Sequence, residues 1–80
     1  MASPTAAQTA LLDEIECHEA ALSELLEVYD YGVRNALQRG DRRLIRTLTV
    51  RTAYTTDQLQ QARARRRALT RTIQTKAEAP

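Results

Sequence analysis

Residues 36–59, ALQRGDRRLIRTLTVRTAYTTDQL, decide the fold because they contain the strong break between two helix-like patterns. One apolar-periodic run ends at Arg39, and another begins at Leu44. Gly40 can end a helix, since glycine adopts the left-handed conformation without a Cβ clash. Asp41 can cap the next helix, because its carboxylate can accept hydrogen bonds from the unpaired N–H groups of the first turn. The pattern predicts a helical hairpin with its turn at residues 40–41.

The first predicted helix spans about residues 4–39. Ser3 can cap it, and Pro4 fits the first helical position, where its missing N–H costs nothing. Apolar residues then recur at steps of three and four, which is a helix period and not a strand period. The predicted core rows are Ile15, Leu22, Tyr29 and Ala36, and beside them Leu11, His18, Leu25 and Gly32. A third row, with Leu12, Leu26 and Val33, widens the stripe, as is typical of a helix in a bundle.

The second predicted helix spans about residues 42–75, followed by a frayed tail at residues 76–80. Its predicted core rows are Ile45, Thr52, Leu59, Arg66 and Ile73, and Leu48, Thr55, Ala62 and Leu69. Threonines lower the helix propensity of this segment, so packing must hold it helical. The turn places residue i roughly opposite residue 80 − i, so that Gly32 should face Leu48.

The two halves of the chain carry opposite charge. Residues 1–40 have seven acids and two bases, a net charge of −5, and residues 41–80 have ten bases and three acids, a net charge of +7. Folding the halves together predicts charge pairing between the helices, with Glu14, Glu16 and Glu19 opposite Arg63, Arg65, Arg66 and Arg67. Exposed ion pairs contribute only ~0–1 kcal/mol each, so they specify orientation more than stability.

The arginine cluster at residues 63–67 also raises a nucleic-acid hypothesis, because clustered arginines neutralise phosphates. No aromatic residue interleaves with these arginines for base stacking, and the net charge of the chain is only +2. Pairing with the acids of the first helix is therefore favoured over nucleic-acid binding.

Other classes of site are not indicated. Glu14 and His18 lie one turn apart, but the central part of the second helix has no His or Glu to complete a bundle-type metal site. No Ser-His-Asp set, phosphate-binding glycine loop or convergent carboxylate pair is present, so neither an enzyme nor a cofactor is predicted. The single cysteine, Cys17, excludes an internal disulfide.

The location is predicted to be cytoplasmic. The first ten residues have no basic start and no apolar core, unlike a signal peptide. No stretch approaches the roughly 20 apolar residues that span a bilayer, so no membrane partner is expected.

Four segments carry a family resemblance: Ala36-Leu37-Gln38-Arg39-Gly40-Asp41, Leu48-Thr49, Gln58-Leu59 and Arg66-Arg67-Ala68-Leu69. In their order and spacing they resemble the FlgN-like flagellar export chaperones, whose hairpin turn reads approximately Ala-Leu-x-x-Gly-Asp. The resemblance covers about residues 20–70. It implies a helical hairpin that shields an apolar helix of an export substrate.

The sequence thus predicts one all-α domain over residues 1–80, an antiparallel, coiled-coil-like two-helix hairpin. Two helices give only a thin seam, so dimerisation or a partner helix should complete a bundle. The predicted function is a small non-catalytic binding protein, chaperone-like by resemblance, whose partner is a second copy or an amphipathic helix of another protein. The alternatives are a structural coiled-coil adaptor and a small nucleic-acid-binding protein. The predicted interface comprises Leu11, Leu12, Ile15, Leu22, Leu25, Leu26, Tyr29, Val33, Leu48, Leu59, Leu69 and Ile73.

Overall fold

The fold consists of two long α-helices packed side by side. The computed structural model describes residues 3–78, with side chains for residues 3–76. Helix α1 spans Ala6–Arg39 and helix α2 spans Arg42–Glu78. The molecule measures 62 × 15 × 14 Å, and a helix the length of α1 is about 50 Å long at 1.5 Å per residue. The two helices therefore lie alongside each other for most of the length of the molecule, as the hairpin prediction requires.

The turn forms at the predicted residues. Gly40 has φ 68° and ψ 24°, the left-handed conformation expected of it. Its N–H donates to the carbonyl of Leu37 at 3.2 Å, and the N–H of Asp41 donates to the carbonyl of Ala36 at 2.9 Å, which together form a Schellman motif. The Asp41 carboxylate then accepts from the N–H of Leu44 at 3.0 Å and caps α2. Both predicted roles, the helix stop and the cap, are confirmed.

The start of α1 differs from the prediction, because Thr5 caps the helix and Ser3 does not. The Thr5 hydroxyl accepts from the N–H of Gln8 at 3.1 Å, and the Gln8 side chain accepts from the N–H of Thr5 at 2.9 Å. This capping box satisfies two N–H groups at once. Ser3 is followed three residues later by Ala6, whose side chain cannot return such a bond, so the helix begins two residues after the predicted start.

Helix α2 extends beyond its predicted end at residue 75 and continues to Glu78. The hydroxyls of Thr72 and Thr75 donate to the carbonyls of Ala68 and Arg71, so these threonines satisfy their polar groups within the helix. Lys76 and the alanine and glutamate after it are good helix formers and need no apolar period to continue it. Residues 76–78 of the predicted frayed tail are thus helical, and residues 79–80 lie outside the described residues.

The core is thin and contains small side chains. Its buried residues are Ile15, Leu22, Ala36, Thr55, Leu59 and Ala62. Among the side chains of residues 3–76, no large one is fully buried. Gly32 faces Leu48 as predicted, since a Cβ at position 32 would lie 2.9 Å from the Leu48 Cδ1 atom. A second contact, between Glu19 and Arg66 at 2.9 Å, joins an earlier residue of α1 to a later residue of α2, as expected for helices that run in opposite directions.

The second core row predicted for α1 was wrong. Beside the Ile15 row, the seam contains the half-buried residues Leu12, Glu19, Leu26 and Val33, whereas Leu11, His18 and Leu25 are exposed. The two rows lie on opposite sides of the Ile15 row, and a single facing helix covers only one of them. The row that α2 covers offers three apolar side chains, and its one charge, Glu19, has a partner on α2. The exposed row offers only two leucines beside a histidine and a glycine.

Candidate partner-binding face

The uncovered row of α1, which contains Leu11 and Leu25, is the basis of a candidate face of exposed apolar side chains. Leu11 and Leu25 each precede a residue of the Ile15 row by four positions, and Leu44 on α2 precedes the half-buried seam residue Leu48 by the same step. Residues at this spacing lie on the same flank of their helix. We call this flank the Leu25 face and define it by its exposed large apolar residues: Leu11, Leu25, Leu44, Val28 and Tyr54.

The two helices present this flank on the same side of the hairpin. One groove of about 360 Å³ is lined by Leu11, Glu14, Ile15 and His18 from α1 and by Arg65 from α2. Arg65 is separated from Leu44 by 21 residues, which is three heptads, so both occupy the same position around α2. The groove therefore lies between the Leu11 row of α1 and the side of α2 that contains Leu44, where Arg51 and Gln58 separate Leu44 from Arg65.

The outer edge of the Leu25 face is formed by Val28 and Tyr54. Each side chain remains well exposed, 63% for Val28 and 64% for Tyr54, and the Tyr54 hydroxyl accepts a hydrogen bond from Gln58 at 2.9 Å. In an antiparallel hairpin, residues at the same height have residue numbers with nearly the same sum. The numbers of Val28 and Tyr54 give nearly the same sum as those of the contacting residues Gly32 and Leu48. Val28 and Tyr54 therefore lie at about the same level of the hairpin. A contiguous exposed apolar patch marks an interaction surface, and these two side chains widen the Leu25 face.

The opposite flank has a different character. Its groove, about 460 Å³, is lined by Leu26, Asp30, Val33, Thr49, Thr52 and Ala53. Thr52 and Ala53 have smaller side chains than leucine, and the lining of this groove, which includes Leu26 and Val33, is mostly apolar. Asp30 at its rim is already paired with Arg34 at 3.0 Å on the surface of α1.

The exposed area of the hairpin is large for its length. Its accessible surface is 6393 Å², whereas a compact protein of this size exposes about 4,900 Å². The difference, about 1,500 Å², reflects the absence of a second layer against the two helices, and it lies within the range that a specific protein interface buries in total.

One ion pair crosses the seam. Arg66 Nε lies 2.9 Å from Glu19 Oε1, and the side chains are 43% and 15% exposed. Both atoms are shielded from solvent, and neither makes a hydrogen bond of good geometry. The pair therefore joins the helices by charge at a position that an apolar contact would otherwise occupy.

The other residues predicted to pair between the helices remain apart. Among the side chains of residues 3–76, no further ion pair within 4.0 Å crosses the seam. The exposed members of the predicted set are Glu14, Glu16, Arg63, Arg65 and Arg67. These charges lie on the flanks of the hairpin and are accessible to a partner.

The predicted interface residues divide between the seam and the Leu25 face. Ile15, Leu22 and Leu59 are buried in the hairpin, and seven are half-buried along the seam: Leu12, Leu26, Tyr29, Val33, Leu48, Leu69 and Ile73. Only Leu11 and Leu25 remain exposed for a partner, at 46% and 38%. The prediction omitted Leu44, Val28 and Tyr54. Val28, three positions after Leu25 on the same flank of α1, could have been found from this spacing.

Other kinds of site find little support in residues 3–78. Within that range no group of three His, Cys, Asp or Glu residues could hold a metal ion, although Glu14 and His18 share a groove. Cys17 is an exposed thiol. No helix in the same range is long and apolar enough to cross a membrane.

Comparison with known proteins gives no further guide to function. No protein-family model, no curated protein and no solved structure matches the chain. The resemblance to the flagellar export chaperones therefore stays a prediction from four sequence segments.

Proposed function

We propose that this hairpin is a non-catalytic helix-binding module that accepts an amphipathic helix on the Leu25 face. One observation carries the proposal: the apolar stripe of α1 is three rows wide, and α2 covers two of them. Fully burying an exposed leucine is worth about 1.5–3 kcal/mol, and Leu11, Leu25 and Leu44 still expose 46%, 38% and 38% of their surface. A helix laid over Leu11, Leu25 and Leu44 thus gains enough to offset part of the entropy of association.

The mechanism follows the helix-in-groove mode of recognition. The partner helix packs over the groove between the two helices, with its apolar side chains against the leucines of the Leu25 face. Glu14 and Arg65 flank the groove with opposite charges, so they favour one direction of the partner helix over the other. Binding converts the two-helix layer into a bundle with a true interior.

Two biological forms of this activity differ in the partner. In the export-chaperone form implied by the family resemblance, the partner is an apolar helix of a flagellar export substrate, which the hairpin shields. In the adaptor form, the partner is a second copy or a structural helix, with no role in export. Copurification with flagellar filament-junction proteins supports the chaperone form, and a partner set without them supports the adaptor.

A matched pair of valines tests the site. Val28 on the Leu25 face and Val50 on the outer side of α2 are almost equally exposed, at 63% and 65%. A photo-crosslinking amino acid at position 28 should join the hairpin to a helical segment of a second copy or partner. The same group at position 50 should not. Mass spectrometry of the crosslinked peptides identifies the bound segment, and equal yields from both positions would refute the assignment of the face.

Nucleic-acid binding is kept as the second candidate because Arg63 and Arg67 are exposed and form no ion pair among the described side chains. With only one of the predicted cross-helix pairs in place, the acids of α1 do not neutralise the cluster directly. Salt-dependent retention of DNA or RNA that is lost on Arg63→Gln with Arg67→Gln supports this function. Retention that survives this change excludes these two arginines as its origin.

A further inference from the structure

We infer that the occupant of the Leu25 face is a second copy of the hairpin, arranged about a twofold axis that runs along the long dimension of the molecule. This inference depends on the proposed function, because it uses the same face. In this arrangement α1 of each copy packs against α2 of the other, all four helices form one bundle, and the two turns lie at the same end.

The charges of the helices favour this axis. Helix α1 carries seven acids and two bases, and α2 carries ten bases and two acids. A twofold axis along the molecule places every acidic helix between two basic ones. An axis across the molecule would place α1 against α1 and α2 against α2, so that helices of like net charge become neighbours. Complementary charge selects the first arrangement and penalises the second.

Individual residues agree with the same axis. A twofold axis along the molecule does not change the height of any residue along the long dimension. A residue of α1 therefore lies opposite the residues of the other copy's α2 that are at the same height. Glu14 and Arg65 share a level, because they line one groove, and neither forms an ion pair with any side chain of residues 3–76. In the dimer, Glu14 of each copy lies near Arg65 of the other. Val28 likewise lies near Tyr54 of the other copy, which buries both exposed side chains.

The area is sufficient for a stable dimer. Specific interfaces bury about 1,200–2,000 Å² in total, or roughly 800 Å² from each partner. Each hairpin exposes about 1,500 Å² more than a compact protein of its size. The dimer therefore needs only about half of this excess from each copy.

Spin labels on the outer side of α1 test the direction of packing. Ala10, Cys17 and Glu24 are exposed and seven residues apart, so they share one position around the helix, away from the Leu25 face. Cys17 is the native labelling site, and cysteines at 10 and 24 are introduced with Cys17→Ser. The inferred dimer gives the same distance between labels at all three sites. With a twofold axis across the molecule, the distance between the two labels along the molecule would change by about 3 Å for each residue by which the labelling site is moved along α1. Distances that change in this way from site to site would overturn the inferred arrangement.

A charge swap tests the inferred contacts. Glu14→Arg should raise the dimer dissociation constant about fivefold or more, because two repulsive pairs replace two attractive ones. Adding Arg65→Glu should restore most of the affinity. Glu16→Arg, which makes the same charge change on the opposite flank, should have a smaller effect. Equal effects of Glu14→Arg and Glu16→Arg would overturn the contact between Glu14 and Arg65.

Failure of this inference is distinguishable from failure of the proposed function. A wild-type protein that is monomeric at high micromolar concentration, yet crosslinks through position 28 to a helix of another protein, overturns the dimer and leaves the helix-binding function standing. A monomer without such crosslinks overturns both.

Discussion

The left-handed glycine at the turn gives the sharpest test of the fold. Gly40 has φ 68°, and a Cβ at this position would meet nothing within 4 Å. The added Cβ itself therefore meets no neighbouring side chain, and the expected cost of valine is the strain of its backbone conformation. That cost is about 1–2 kcal/mol for a residue with a Cβ, with a β-branched side chain toward the upper end.

The expected shift is large enough to measure. In a domain of this size, 1 kcal/mol lowers the melting temperature by roughly 4–8 °C. Gly40→Val should therefore melt about 5–15 °C below the wild type, as followed by circular dichroism at equal protein concentration. Equal concentration is essential because association itself raises the melting temperature.

A control variant separates backbone strain from other effects. Asparagine tolerates the left-handed conformation better than valine does, so Gly40→Asn should lose clearly less stability. Wild-type melting of Gly40→Val, or equal losses in Gly40→Val and Gly40→Asn, would refute the assignment of strain to this position.

Three further predictions follow from the cap, the face and the seam. Asp41→Ala should destabilise the protein by about 1 kcal/mol, because the N–H of Leu44 loses its acceptor, and Asp41→Asn should retain most of the stability in the same melting experiment. Leu25→Asp should abolish association yet leave the turn and both helices formed, whereas Leu26→Asp, inside the seam, should also lower helicity in circular dichroism. Arg66→Leu should destabilise by leaving the shielded Glu19 carboxylate unpaired, and adding Glu19→Leu should recover that loss in a chemical-denaturation mutant cycle. Additive losses in this last cycle would show that the two side chains do not act as a pair.

The sequence predicts the hairpin and its register because both depend on local signals. Gly40 followed by Asp41 ends one helix and starts the next within two residues, and its place in the chain sets which residues oppose each other. The contact between Gly32 and Leu48 follows from that register alone.

The side of α1 that packs against α2 could not be predicted in the same way. Leu11 and Leu12 are neighbours in the sequence and equally apolar, and each belongs to a row beside the Ile15 row. Which row enters the seam depends on the rotation of α1 about its own axis against α2, which is a tertiary property. The same rotation places Glu14 and Glu16 on the flanks of the hairpin. Fewer ion pairs therefore cross the seam than the charge pattern of the sequence predicts.

The start of α1 was missed for a different reason. Ser3 and Pro4 form a recognised start signal, but Thr5 with Gln8 forms a stronger one, since it makes two reciprocal hydrogen bonds. A search for the paired residues of a capping box, and not only for single capping residues, would have found it.

The central claim is that two helices do not complete this fold, and sedimentation equilibrium at high micromolar concentration tests it most directly. The wild type and Val50→Asp should sediment as dimers. Leu25→Asp should sediment as a monomer that melts at a lower temperature over a broader range. A wild-type monomer with sharp, cooperative melting would contradict the claim, because it would show that the hairpin is stable without any partner on the Leu25 face.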